Sequence, residues 1–354
     1  MNNIKRNQHG FSLVELMIAT LIGLLLSYAI MEIYVAQTQI YKTTNSQDLI
    51  QNTENAIANL VTPVIRSAGF AGCSSVNTVV SNLNGGGSNP IGSLNTNQTM
   101  ITGYNGNDST LNITQENAAN GSNADAWTPS LDPTLVGAVE PSSDVLVVLG
   151  AIPGSFPAGI TTIAPGSSSL TTQNTSGITL AAGQFGAVSD CVKTSIFQIT
   201  EVSGTTISHA AGSGSYANES ASFAMNYQVG SQFIPLQQTA FFIGQSQGGQ
   251  SALMRAMLIS GSWSIQPLVP GVEVMKVQYG IGNNGNIAQY VTADVVTNWA
   301  QVYSIRLGFL IGGQVASGNK NIGQYSVLGT LVTIPADNRL RHVYELTINL
   351  RNAI

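Results

Sequence analysis

Gly10-Phe11-Ser12-Leu13-Val14-Glu15-Leu16-Met17-Ile18-Ala19 opens an apolar run that continues to about Met31. Ahead of it stands a polar leader, MNNIKRNQHG, with Lys5 and Arg6. About 20 apolar residues form a helix long enough to cross a bilayer. Positive charge before the helix favours a cytoplasmic leader, with the rest of the chain outside. A secretory signal is cut after its apolar segment, beside small residues. No such site follows this run, so the cut is expected in front of it, between Gly10 and Phe11, and the helix stays on the mature chain. One carboxylate, Glu15, lies inside the run, one turn from Phe11. A carboxylate at the centre of a membrane helix costs about 2.5–3.5 kcal/mol on insertion scales, and less near an end. Cleavage would give Phe11 an α-ammonium group that neutralises Glu15, in its own chain or in a neighbour.

This pattern resembles the class III signal of type IV pilins and type II secretion pseudopilins. The resemblance implies that a membrane prepilin peptidase cuts after Gly10 and N-methylates Phe11. Glu15 is then the fifth residue of the mature chain. It also implies a single-pass protein of the inner membrane, its head periplasmic, that later joins an extracellular filament.

Beyond Met31 the helical pattern continues. Glu32, Gln37, Gln39, Lys42 and Asp48 mark departure from the membrane, and Leu49, Ile50, Ile57, Leu60, Val61, Val64 and Ile65 recur at spacings of three and four. That is one apolar stripe at helical period. One helix is therefore expected from near Phe11 to about Ser67, with Gly69 as its C-terminal cap and Pro63 kinking it or ending its regular part early. The divisions expected are a leader at 1–10, a transmembrane half-helix at 11–31, an amphipathic half-helix at 32–68 and a β-rich head at 69–354.

Only 8% of residues are charged and the net charge is −5. Binding to polyanions needs clustered Lys and Arg, and the one short basic patch is Arg339 with Arg341. No nucleic-acid site is readable. The two cysteines, Cys73 and Cys191, outside the membrane are expected to form a disulfide joining the end of the stalk to the middle of the head. Residues 74–135 are rich in Asn, Gly and Ser and read as loops with short strands such as Met100-Ile101-Thr102; Asp108, Asp125 and Asp132 lack the spacing of a calcium loop. Strand signals follow at 144–149, 184–191, 195–200, 204–208, 233–235, 240–243, 252–259, 272–279 and 339–350, those from 233 to 259 suggesting an antiparallel meander; 299–311 also fits a helix on Trp299, Val302, Ile305, Arg306 and Phe309 but reads as a strand, and Gly282-Asn283-Asn284-Gly285-Asn286 reads as a turn. The fold class is α+β: a long N-terminal helix packed on a large antiparallel β-rich head.

Gly69-Phe70-Ala71-Gly72-Cys73, Pro270-Gly271-Val272-Glu273, Val277-Gln278-Tyr279-Gly280, Trp299 with Ser304-Ile305-Arg306, Arg339-Leu340-Arg341 and Asn349-Leu350-Arg351-Asn352 resemble the PilW family of minor pilins. That family is similar in architecture to the type II secretion pseudopilin GspJ. The resemblance implies a complex with other minor pilins that primes pilus assembly and stays at the tip, contacts with the major pilin, and a place beside a large tip adhesin. A GspJ-type pseudopilin and an adhesin or DNA-receptor subunit are the alternatives.

Catalysis finds no support. Gly244-Gln245-Ser246-Gln247-Gly248 matches G-x-S-x-G by letter, but a nucleophile elbow needs a strand–turn–helix context, and a hairpin loop is expected here. His9 lies in the leader, and His209 and His342 are isolated and expected on the surface or on strands. No P-loop, dinucleotide fingerprint or metal-ligand cluster is present in the sequence, so no cofactor is expected.

Overall fold

The computed structural model describes residues 12–70, 78–84, 101–106, 110–113, 123–141, 143–190, 192–214, 216–246, 248–316 and 323–351. A single helix, Leu13–Arg66, runs 54 residues, about 80 Å at 1.5 Å per residue. Pro63 does not end it: it lies in the last turn, and its carbonyl accepts from Ser67 N–H at 3.1 Å. A proline there forfeits only its own N–H bond to the preceding turn. Ser67 is the C-cap, and Gly69 takes the left-handed conformation (φ 72°) that lets the chain turn into the head.

The head begins on this helix. Ser46, Ile50, Thr53, Ile57, Val61, Val64 and Ile65 form its buried stripe. The stripe packs on a four-stranded antiparallel sheet, ordered Asn286–Val291, Val272–Asn283, Val302–Ala316, Arg339–Asn349. A second, larger sheet closes the same core. Ile50, Ile57, Val61 and Ile65 share one cluster with Met275, Phe309 and Ile348 of the small sheet and with Leu146, Val148, Phe241 and Leu253 of the large one. The helix is thus wedged where two sheets meet. Burying each such side chain contributes about 1.5–3 kcal/mol before ordering costs.

The large sheet is organised by Gln232–Gln245, whose fourteen residues outrun any neighbour. Along one edge it pairs first with Phe185–Ser189 and then with Ser251–Ile259; along the other, with Ala158–Ile163 and then Val145–Ala151. Ser251–Ile259 continues by hairpin to Ser262–Pro270, a strand not expected from the sequence. A small third sheet joins Gln324–Val327, Thr330–Thr333 and Thr110–Asn112.

One buried ion pair ties the two large sheets together. Lys276 Nζ lies 2.9 Å from Asp144 Oδ1, both side chains almost wholly enclosed. Asp144 also accepts the backbone N–H groups of Gly106 and Val277 at 3.0 and 2.8 Å. Burial pushes its carboxyl up, while the Lys276 ammonium and the two N–H donors pull it back. Lys276 Nζ also donates to Gly106 O at 3.3 Å, and such added hydrogen bonds are the condition under which a charge pair survives in a core.

Candidate anchoring and assembly site

The front part of the helix packs on none of the described residues of the head. Every described residue from Ser12 to Gln37 is exposed, among them Leu13, Leu16, Leu21, Leu24, Leu25 and Ile30. The helix is long and apolar enough to cross a membrane, and its most apolar window has no buried residue. Its few polar side chains are folded inward: the Thr20 and Ser27 hydroxyls donate to the carbonyls of Met17 and Gly23 at 2.9 and 2.8 Å. In lipid this back-bonding keeps the hydroxyls satisfied. Tyr28 Oη donates to Glu32 Oε1 at 2.7 Å, closing the apolar stretch.

At the other end of that stretch the Ser12 backbone N–H donates to Glu15 Oε2 at 3.0 Å, and Ser12 is extended (φ −70°, ψ 142°). Glu15 therefore caps its own helix, reaching back three residues to an N–H that has no helical partner. The carboxylate sits at the positive end of the helix dipole, where a negative charge is favoured. Ser at position i and Glu at i+3, here Ser12 and Glu15, is the sequence signature of this cap. Gly10 and Phe11, the expected cleavage and methylation positions, and Cys73 and Cys191, the expected disulfide, lie outside the described residues.

The first buried residue of the helix is Ser46. The stretch from Leu13 to Gln37, exposed throughout, spans about 38 Å, against about 30 Å of hydrocarbon. Apolar exposure does not stop at the bilayer thickness: Ile33, Tyr34, Val35, Ile40 and Tyr41 are all more than half exposed beyond Glu32. Scattered exposed apolar residues are ordinary, but a continuous apolar rod marks a surface that another body covers.

The helix end is stitched to the head at backbone level. Gly69 N–H donates to Leu149 O at 3.3 Å, and Ala68 bridges Gly150. Farther up, His342 Nδ1 lies 2.6 Å from Glu54 Oε1, linking the last strand to the helix. The arginines read as a basic patch are not one. Arg341 is bidentate on Glu273 (2.7 and 3.2 Å) and on Asp337 (2.8 and 2.6 Å), and Arg339 reaches Glu273 at 3.3 Å. These carboxylates hold the Arg341 guanidinium charged against burial. His209, expected on a surface or strand, is instead 1% exposed. Ser246 lies in the hairpin between Gln232–Gln245 and Ser251–Ile259, its hydroxyl spent on Gln250 O at 3.0 Å. Among the described residues no three His, Cys, Asp or Glu side chains converge as metal ligands.

A membrane-length helix whose rear half is the spine of a β head is the arrangement expected of a pilin-like subunit. Comparison with known families agrees at both ends of the chain. Residues 5–30 match the prokaryotic N-terminal methylation motif, and residues 240–352 match the family described as type IV pilus-assembly protein W. The second match takes in the hairpin of the large sheet, all four strands of the helix-bearing sheet and the cluster around Arg341. Together the matches are consistent with a PilW-type minor pilin and point to a structural pilus protein anchored by its single apolar helix. No curated protein and no solved structure was found to match.

Proposed function

We propose that the protein is a minor pilin that takes part in priming type IV pilus assembly and resides at or near the pilus tip with other minor pilins. The observation that carries this reading is the apolar stretch from Leu13 to about Met31, exposed throughout and long enough to cross a bilayer. Before assembly the head stands in the periplasm and the rod in the inner membrane. A prepilin peptidase cuts after Gly10 and methylates Phe11. Rods of sister minor pilins pack side by side, the major pilin adds below them, and a large adhesin is carried above. In this scheme the Glu15 carboxylate exchanges its bond to Ser12 N–H for the α-ammonium of an adjacent subunit, or of its own Phe11, so that a charge exposed to lipid becomes a paired one.

Replacing Glu15 by alanine should leave cleavage at Gly10–Phe11 intact and lower surface piliation, with less of the sister minor pilins recovered on the tagged chain. Normal piliation in that strain would overturn the pairing role. Normal piliation after deletion of the whole chain would overturn the priming role.

A further inference from the structure

The described residues of 209–231 cross the large sheet without forming a strand, carrying only the isolated bridges Leu83–Asn218 and Ala211–Asn218. This strap is pinned at several points. Asn218, fully buried, accepts from Gln198 N–H at 2.7 Å and donates to Gln198 O and Ala210 O at 2.8 and 3.1 Å. Glu219 N–H reaches Asn82 O at 2.8 Å, and Tyr227 Oη reaches Ser195 Oγ at 2.8 Å. Beneath it lie Phe197, Phe233, Val188 and Ile160, all fully enclosed, with Tyr227, Phe223 and Met225 of the strap closing over them.

At the N-terminal hinge of the strap sits His209. Its backbone N–H donates to Ser168 O at 2.7 Å. Its ring stacks on Phe223 (centroids 4.2 Å, 25°) and meets the edge of Phe197 at 5.3 Å. No hydrogen bond of ordinary geometry reaches either ring nitrogen, and the carbonyls of His209 and Ala221 give the ring only weak support. A neutral imidazole tolerates such a cage at modest cost, but an imidazolium brings two N–H donors and a full charge into it.

We propose that His209 is an acid-released latch: protonation of its ring unseats the 209–231 strap and uncovers the apolar sheet face built on Phe197 and Phe233. The ionisable groups on the surrounding elements do not offer the ring a counter-charge. Lys193 stands 5.6 Å over the Tyr227 ring and pairs with Asp190. Glu201 and Glu219 lie on the flanking strand and on the strap itself, Glu201 being exposed. Tyr216 and Tyr227 are held neutral, both pushed up to about 12 by burial. Burial therefore sets the affinity of His209 for a proton, lowering its pKa to about 4; the carbonyls of His209 and Ala221 oppose this only in part. In the released strap the ring would titrate near its ordinary 6.5. Between these values only the released form holds the proton, so acid favours release. Lowering the pH from 7.5 to 5 should raise the released fraction about thirtyfold.

The test is amide hydrogen exchange on the full chain in detergent, corrected for the intrinsic pH dependence of exchange. At pH 5, strap amides such as those of Gly212 and Glu219 should lose about thirtyfold protection relative to pH 7.5, while those of Val145–Ala151 keep theirs. In His209→Phe the strap should be equally protected at both values. Strap protection that does not change with pH in the native chain, a loss that persists in His209→Phe, or a loss spread evenly over the head would each overturn the latch. Should His209→Phe fail to fold, exchange of the imidazole C2 hydrogen in the native chain reports the ring's own titration, and a midpoint near 6.5 would sink the proposal.

Discussion

A methyl group added at Gly150 has no room. Its Cβ would lie 2.5 Å from both the carbonyl oxygen and Oγ of Ser67, and 2.7 Å from the Ser67 carbonyl carbon, where ordinary contact needs about 3.5 Å. The Ser67 hydroxyl can rotate away. The carbonyl cannot, because it belongs to the helix C-cap. Gly150→Ala must therefore push the helix end about 1 Å off the strand, which overpacks the seam at roughly 1–3 kcal/mol. The same shift breaks the Gly69–Leu149 hydrogen bond, worth about 1 kcal/mol, and loosens Ile65 and Ala68, both enclosed. The expected loss is about 2–4 kcal/mol, read by urea unfolding of the full chain in detergent with tryptophan fluorescence. Gly137→Ala is the matched control: its backbone is right-handed (φ −69°) and an added Cβ meets nothing within 4 Å. It should stay within about 0.5 kcal/mol of the native protein. If Gly150→Ala is as stable as Gly137→Ala, the helix end is not seated against this strand in the way described.

Three further substitutions probe buried charge. Glu140 accepts a hydrogen bond from Ser251 Oγ at 2.7 Å, and burial pushes its carboxyl up to about 7, Glu273 adding to the rise and Ser251 opposing it. With the folded pKa above the unfolded one, its contribution is complete below about 4.5 and is lost as pH rises through 7. Unfolding free energies at pH 5 and 8 should differ by up to about 3 kcal/mol more in the native chain than in Glu140→Gln, and equal differences would refute this. Lys276→Met should cost about 3–5 kcal/mol because it strands the Asp144 carboxylate. Adding Asp144→Asn should recover most of that loss, since the amide oxygen still accepts from Gly106 and Val277 N–H; a double variant no more stable than the single one would count against it.

The helix was legible almost to the residue, because a 20-residue apolar run followed by a stripe at three-and-four spacing admits little else. Strands such as 144–149 and 272–279 were equally plain. The stretch 299–311, ambiguous between helix and strand on its Trp299, Val302, Ile305 and Phe309 spacing, resolves into a 3-10 turn at Trp299–Gln301 and the strand Val302–Ala316. What stayed hidden depends on contacts between distant segments. Nothing near Lys276 in sequence announces Asp144, 132 residues away. Arg339 and Arg341 look basic until Glu273 folds beneath them. Gly103 reads as one more loop glycine, yet it is where the Tyr279 hydroxyl fits. His209 sits among small polar residues, and only the tertiary fold brings Phe223 and Phe197 around it.

A rod without a proline between Leu13 and Thr62 carries a bearing as well as a length. The residues that seat it in the head, Ser46, Ile50, Ile57 and Val64, lie along one side; at about 100° per residue, Tyr34 and Tyr41 fall on roughly the opposite side. Companions that dock on those two tyrosines stand behind the head, not beneath it. Several such rods gathered into a bundle would each turn their β domain outward, like petals around a stem, leaving its far surface open to the surroundings.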